Sequence, residues 1–203
     1  MMNKRYAIFL LYFILTPAYS SDEHAGHRAM LHNSDYTKTI AHYTVPEVTL
    51  LNQAGEVTPL KQLLTPDKPI ALNFIFTTCT TICPVMSATF AKMQQLLGDA
   101  ANDLNFVSIS IDPEYDRPAV LKAYAEQYHA PENWQFFTGD VEAIETVLKA
   151  FDAYSGNKTN HRPLTFFKRP DKTTWIRIEG LSSAQELVNE YQQLSTAKAQ
   201  HHH

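Results

Sequence analysis

Cys79 and Cys83 are the only cysteines of the chain, and they lie in the run Phe76-Thr77-Thr78-Cys79-Thr80-Thr81-Ile82-Cys83-Pro84. Two thiols this close support two chemistries. They exchange electrons as a dithiol–disulfide couple, or they clamp a soft metal ion as thiolates. Three residues upstream of Cys79 the apolar stretch Pro69 to Phe76 ends, and from about Cys83 the pattern becomes helical. If the first helical turn is regular, positions i and i+4 share one face with their Cα atoms about 6 Å apart, within the reach of a disulfide. Unpaired N–H groups and the positive end of the dipole at a helix start favour thiolate, which is both the nucleophile and the metal ligand. A purely structural bridge is the bland alternative. Closing so short a loop removes little entropy from the unfolded chain, so a disulfide there stabilises little. The pair is read as functional.

The elements that must position these thiols follow from periodicity and punctuation. Val45 to Leu60 predicts two short strands around Asn52-Gln53-Ala54-Gly55. A buried strand follows over 69–76, then a helix from about Cys83 to Leu97 that stops at Gly98. Phe106 to Ile111 alternates as a strand and closes at Asp112-Pro113. Pro118 opens a helix to His129, and Val141 to Phe151 predicts another. Strands near 164–168 and 173–178 flank the turn Arg169-Pro170-Asp171-Lys172, and a last helix covers about 183–194. Strands separated by helices pair in parallel, and two joined by a tight turn pair antiparallel. The expected fold is therefore α/β and thioredoxin-like: a central mixed sheet flanked by helices, with an added N-terminal β-hairpin. It places the cysteines at the C-terminal end of a strand, where open α/β sheets carry their sites.

In that layout His161, within Gly156-Asn157-Lys158-Thr159-Asn160-His161-Arg162-Pro163-Leu164, precedes the strand beside the cysteine-bearing helix. A histidine in a polar loop is ordinarily just solvated. Two thiolates and an imidazole, however, suit Cu(I) and can also hold Cu(II).

The Cys79-to-Pro84 motif after an apolar strand, the run Ser110-Ile111-Asp112-Pro113-Glu114-Tyr115-Asp116-Arg117-Pro118 and the single downstream histidine together resemble the Sco/SenC family, over roughly residues 42–194. The resemblance implies a thioredoxin-like fold and copper bound by Cys79, Cys83 and His161. It also implies a role in assembling the dinuclear copper centre of cytochrome oxidase, with some bacterial members resembling thiol–disulfide reductases instead. The expected partners are an apo-cuproprotein, possibly a cytochrome oxidase subunit, and a thiol reductant. In the reductase reading Cys79 attacks and Cys83 resolves. Two positions depart from the family. Asn160 stands where members commonly have an aspartate, so a carboxylate that could orient the imidazole is missing there. Pro163 falls where redox-active thioredoxin-fold proteins carry a cis-proline facing the thiols, and the expectation is a cis Arg162–Pro163 bond. A peroxidase of peroxiredoxin type is disfavoured, because no proline occurs from Ala71 to Thr78.

The rest of the chain sets bounds. A length of 203 residues suits one core, and a formal charge of −4 without a basic patch argues against nucleic acid. Lys4 and Arg5 before the apolar run Tyr6 to Leu15, then Ala18-Tyr19-Ser20, read as a signal peptide over 1–20 and hence as export to the periplasm. An uncleaved anchor facing the periplasm is the alternative, and the membrane is otherwise met only through the target. Residues 21–41 read as a flexible lead-in in which His24, His27, Met30 and His32 could capture copper. Residues 42–195 form the domain and 196–203 a disordered tail ending in His201, His202 and His203. Asp112 to Pro118 is read as structural, with only Asp112 expected near the C-terminal edge of the sheet.

Overall fold

The computed structural model describes residues 36–65 and 67–196. In chain order the elements are β1 (Tyr36–His42), β2 (Thr49–Asn52), β3 (Val57–Pro59), α1 (Leu60–Leu63), β4 (Ile70–Ile75), α2 (Ile82–Leu97), β5 (Asn105–Ser110), α3 (Pro118–Gln127), β6 (Trp134–Thr138), α4 (Val141–Ala150), β7 (Leu164–Lys168), β8 (Thr174–Gly180) and α5 (Ala184–Thr196). The strands form one sheet in the order β1-β8-β7-β4-β5-β6-β2-β3. β4, β5 and β6 run parallel, joined through α2 and α3, and the remaining pairs are antiparallel, including β7, which follows α4.

β4 is buried at all six positions because both of its faces are covered. One face packs against α2, α3 and α5 through Phe90, Met93, Leu121, Tyr124, Leu187 and Val188. The other packs against α1 and α4 through Leu60, Ile144, Val147 and Leu148. On that second face Phe151 meets Tyr43, Phe74, Phe166 and Trp175, with ring centroids between 5.0 and 6.1 Å apart. These rings carry the chain from α4 back beneath the sheet end where the 152–163 loop begins. The fold is thioredoxin-like and places the end of β4, the start of α2 and that loop together.

Three expectations need correction. Residues 36–41, assigned to the lead-in, form most of β1, which pairs with β8 from Tyr36↔Gly180 to His42↔Thr174. Its side chains are largely exposed, so it lacks the apolar run that marks a buried strand. What fixes it is the ladder itself, the bond from Tyr36 Oη to Glu190 Oε1 at 2.9 Å, and the Lys38–Glu190 ion pair. β6 was not expected between the two middle helices. It is only five residues long, and Pro131-Glu132-Asn133 before it reads as loop, yet Trp134 is buried and its Nε1 donates to Ser108 Oγ at 3.0 Å.

The Arg162–Pro163 bond is trans, as is every peptide bond among the described residues. The Pro163 carbonyl accepts from the Gly180 N–H at 2.9 Å and so extends the β7–β8 ladder by one rung. That rung holds Pro163 as extended chain running straight into β7. The proposed signal peptide, the His24–His32 positions and the C-terminal histidines lie outside the described residues.

Candidate metal centre

Where β4 ends, the chain turns sharply before α2. Cys79 N donates to Phe76 O at 3.2 Å across this turn. The turn is anchored from a distant segment by Asp116, whose side chain is fully buried. Its Oδ2 accepts from Thr77 N at 3.0 Å and from Ser110 Oγ at 2.5 Å, and its Oδ1 accepts from the Thr77 hydroxyl. α2 then begins at Ile82. Its N-cap Thr81 makes no side-chain capping bond. The sulfur of Cys79 serves instead, accepting from Cys83 N at 3.4 Å and lying 3.6 Å from Thr81 Oγ1. The dipole argument made from sequence is thus realised by one particular N–H of the first turn.

Both cysteines are free thiols, and they are unequal. Burial raises the Cys79 pKa, but hydrogen bonds from the Cys83 and Thr81 backbones and side chains outweigh it and hold the thiol below its ordinary value. Cys83 is 0 % exposed. Burial drives its pKa far above the usual thiol range, and the neighbouring Cys79 and the Asp116 charge push the same way. Cys79 is therefore the sulfur that ionises and meets solvent, and Cys83 the one held protonated behind it.

His161 faces Cys79 across a cleft of about 400 Å³ whose walls include Phe76, Thr78, Thr81, Ile82 and Lys158. The imidazole is only 8 % exposed and stands edge-on to Phe76, with centroids 6.3 Å apart. The β4–β7 ladder stops at Asn73↔Thr165, and His161 takes the next carbonyl, with Nε2 2.9 Å from Phe74 O. A carbonyl only accepts, so Nε2 carries the proton and Nδ1 the lone pair. Burial lowers the His161 pKa and the Arg162 charge adds to this, against the Phe74 bond that favours the charged form; the ring is thereby biased to the neutral, ligating state. The missing carboxylate at Asn160 is answered here, since that residue is exposed and the Phe74 carbonyl orients the ring. Among the described residues no three histidine, cysteine or acidic side chains are yet close enough to hold a metal ion.

Two functional residues escaped the sequence reading. Asp116 as well as Asp112 lies at the C-terminal edge of the sheet, and it holds the thiol-bearing turn rather than merely leading into α3. Lys158, three residues before His161, pairs with Asp112 at 2.5 Å and lies 5.9 Å from the Phe76 ring centroid, fastening the histidine loop to the end of β5. Nothing local in the sequence announces either contact.

Asp116→Asn replaces one acceptor oxygen with a donor among three donors, with an expected loss of about 2 kcal/mol in urea unfolding. Burial raises the Asp116 pKa, against the bonds from Ser110 and Thr77. A carboxyl raised in the folded state binds more protons folded than unfolded, so its contribution is complete below the ordinary carboxylate range and is lost as pH rises through the folded value. The advantage of wild type over Asp116→Asn is expected to shrink across that window, and a difference independent of pH would contradict this account of the residue.

A parallel-centred sheet with an ionisable thiol at a helix start, a buried partner thiol and a histidine across the cleft defines a thioredoxin-like dithiol protein with an imidazole facing its thiols. The chain belongs to the SCO1/SenC family, whose model matches residues 37–195. It is 31% identical over 166 residues to the SCO1 protein homolog of Bacillus subtilis, spanning 77% of this chain and 85% of that one. Among solved structures it resembles BsSco, described as a member of the Sco family of cytochrome c oxidase assembly proteins with a disulfide switch, at 30% identity and a TM-score of 0.64, covering 79% of this chain and 98% of that one. ScoI of Bradyrhizobium japonicum, solved with copper bound, shares the fold at 22% identity and a TM-score of 0.62, covering 75% of this chain and 99% of that one. Among the described residues no helix is long and apolar enough to cross a membrane.

Proposed function

We propose that the reduced protein binds one copper ion through Cys79, Cys83 and His161 and passes it by ligand exchange to an apo-cuproprotein, such as the dinuclear copper site of cytochrome oxidase. The observation that carries this reading is the donor set itself: two free thiols in contact through the α2 N-terminus, with a neutral imidazole across one cleft. Thiolate and imidazole donors suit copper, and a site with one half-buried and one fully buried sulfur offers a partner one ligand first. The family and the copper-bound fold relative support the same metal. Export to the periplasm fits the N-terminal sequence, and there a reductant must keep the pair open, because an oxidised pair has no thiolate to offer.

The inequality of the thiols supports a second reading, a thiol–disulfide oxidoreductase that prepares a partner's cysteines. Cys79 thiolate attacks the partner disulfide and forms a mixed disulfide, releasing one partner thiolate. Cys83 then gives up its proton and attacks the Cys79 sulfur. The partner leaves as a dithiol and the Cys79–Cys83 disulfide forms, with two electrons passed to the partner.

The test is a Cu(I) titration of the protein without His201–His203, in competition with a chromophoric chelator, before and after oxidation by diamide. One copper per reduced chain and none per oxidised chain is the expected result. Copper retained equally by the oxidised protein would remove the cysteines from the site.

A further inference from the structure

The two loops that carry the candidate ligands are both tied to one segment, residues 110–116 at the end of β5. Residues 154–160 are exposed at every position, so apolar burial does not hold the stretch that leads into His161. Its own polar groups order it instead. Asn157 Oδ1 accepts from Thr159 N and from Thr159 Oγ1, both at 2.9 Å, and His161 N donates to Lys158 O at 3.1 Å. Lys158 and His161 are thus the two ends of one tight turn, and the backbone of the histidine follows wherever the lysine is held. Among the described residues the single ion pair from 154–160 to the rest of the fold joins Lys158 to Asp112 at 2.5 Å.

Asp112 is a firm anchor. It is only 5% exposed, whereas the Lys158 side chain is 46% exposed at the wall of the thiol cleft. An ion pair with one partner buried holds better than a surface pair, because losing the cation strands a desolvated carboxylate. Asp112 N donates to Ser110 Oγ at 3.0 Å, and Ser110 Oγ donates to Asp116 Oδ2 at 2.5 Å. Asp116 N donates in turn to Asp112 O at 2.8 Å. The Asp116 carboxylate also accepts from Thr77, two residues before Cys79. The segment itself is pinned to the central strand, with Ile111 N donating to Ile75 O at 2.9 Å. A continuous chain of polar contacts therefore runs from the turn before His161, through Asp112, Ser110 and Asp116, to the turn before Cys79. Lys158 is its one exposed link.

We propose that Lys158 is a positioning residue of the metal centre: held by Asp112, it keeps the His161 imidazole across the cleft from Cys79. The inference rests on the three-ligand reading and adds the group that keeps the third donor in place. Without the lysine charge, residues 154–160 are left to their own turn, while Arg162 and Glu179 still hold the far end of the loop. Arginine at this position keeps the charge, and methionine keeps the length without it.

The test reads His161 first without copper and then with it. In the reduced, copper-free protein, acylation of His161 by diethyl pyrocarbonate is followed by mass spectrometry of the peptide that contains it. Lys158→Met is expected to speed acylation by at least about threefold, as loss of the tie opens the loop, and Lys158→Arg to leave it near the wild-type rate. Competition with a chromophoric Cu(I) chelator should then show about a tenfold loss of affinity for Lys158→Met and less than about threefold for Lys158→Arg. In a His161→Ala background Lys158→Met should cost nothing further, because the lysine acts through the imidazole. A loss through general loosening of the fold would instead be the same in both backgrounds. Unchanged acylation, or an equal loss of copper affinity with and without His161, overturns the proposal. Copper affinity that is indifferent to His161→Ala refutes the three-ligand reading alone, since acylation of the copper-free protein reports on Lys158 independently.

Discussion

Cys83→Ser is expected to weaken Cu(I) binding by more than about a hundredfold, beyond the loss that follows from disturbing groups that merely orient a ligand. A hydroxyl fills nearly the same volume as the thiol but is a poor donor to a soft ion. Cys83 sits at the second position of α2 with no exposed surface, so no solvent-borne ligand can replace its sulfur. Cys79→Ser is expected to lose as much affinity, and it also removes the sulfur that accepts the Cys83 N–H. Competition with a chromophoric Cu(I) chelator measures both. A serine variant that keeps wild-type affinity at either position would mean the ion is held elsewhere.

The second large effect is kinetic. Iodoacetamide should modify Cys79 more than about a hundredfold faster than Cys83 near neutral pH, since alkylation follows thiolate fraction and access together, and each unit of pKa is tenfold in thiolate well below the pKa. The sign with pH follows from the shifts. Cys79 lies below the ordinary thiol range, so its rate climbs and levels off at lower pH than that of a free thiol. Cys83 lies far above that range, so it stays protonated through the same interval. Mass spectrometry of the singly alkylated protein gives the assignment. Equal labelling, or Cys83 reacting first, would reverse the roles of attacking and resolving thiol. The same inequality serves either use of the pair, because the sulfur that ionises first is the one a partner meets first.

The thiol pair was the most legible feature of the sequence, since two lone cysteines after an apolar strand and before a proline-marked helix announce themselves by type and place. β4, α2, β5, α4, β7, β8 and α5 were also readable, each within a few residues, because each carries a strong apolar pattern bounded by glycine, proline or aspartate. β1 was hidden because an edge strand largely in water needs no apolar run, and β6 because Trp134-Gln135-Phe136-Phe137-Thr138 is short and follows a loop-like stretch. The trans bond at Pro163 was misread for a different reason. Proline at a position says nothing of its isomer, and the rung from Gly180 to the Pro163 carbonyl, set by the β7–β8 register, holds the chain extended there.

The candidate site shows the same division. His161 was singled out by its place before the strand beside the cysteine-bearing helix, and its ligand role came from resemblance; its bond to the Phe74 carbonyl depends on where the β4–β7 ladder stops, which no local pattern encodes. Asp116 lies thirty-nine positions from Thr77 and meets it only because β5 pairs beside β4 in parallel. Lys158 and Asp112 are likewise forty-six positions apart. Local composition fixed the donors, whereas long-range register fixed what orients them. In each case the orienting groups close on the same turn or loop: Asp116 below Cys79, and Lys158 beside His161. The histidine loop is further tied at its base by Arg162 to Glu179 at 2.9 Å and by Arg177 to Phe151 O at 3.1 Å. The loop that carries the imidazole is thus anchored on both sides of the cleft.

The claim that His161 completes a copper site with the two cysteines is tested most directly by Cu(I) affinity of the reduced protein, freed of His201–His203, for wild type against His161→Ala. The account predicts tight one-to-one binding in the wild type and a loss of at least about tenfold in the variant, with alkylation of Cys79 still faster than that of Cys83. Affinity indifferent to His161, or no tight binding in either protein, would contradict it and leave Cys79 and Cys83 as a redox couple alone.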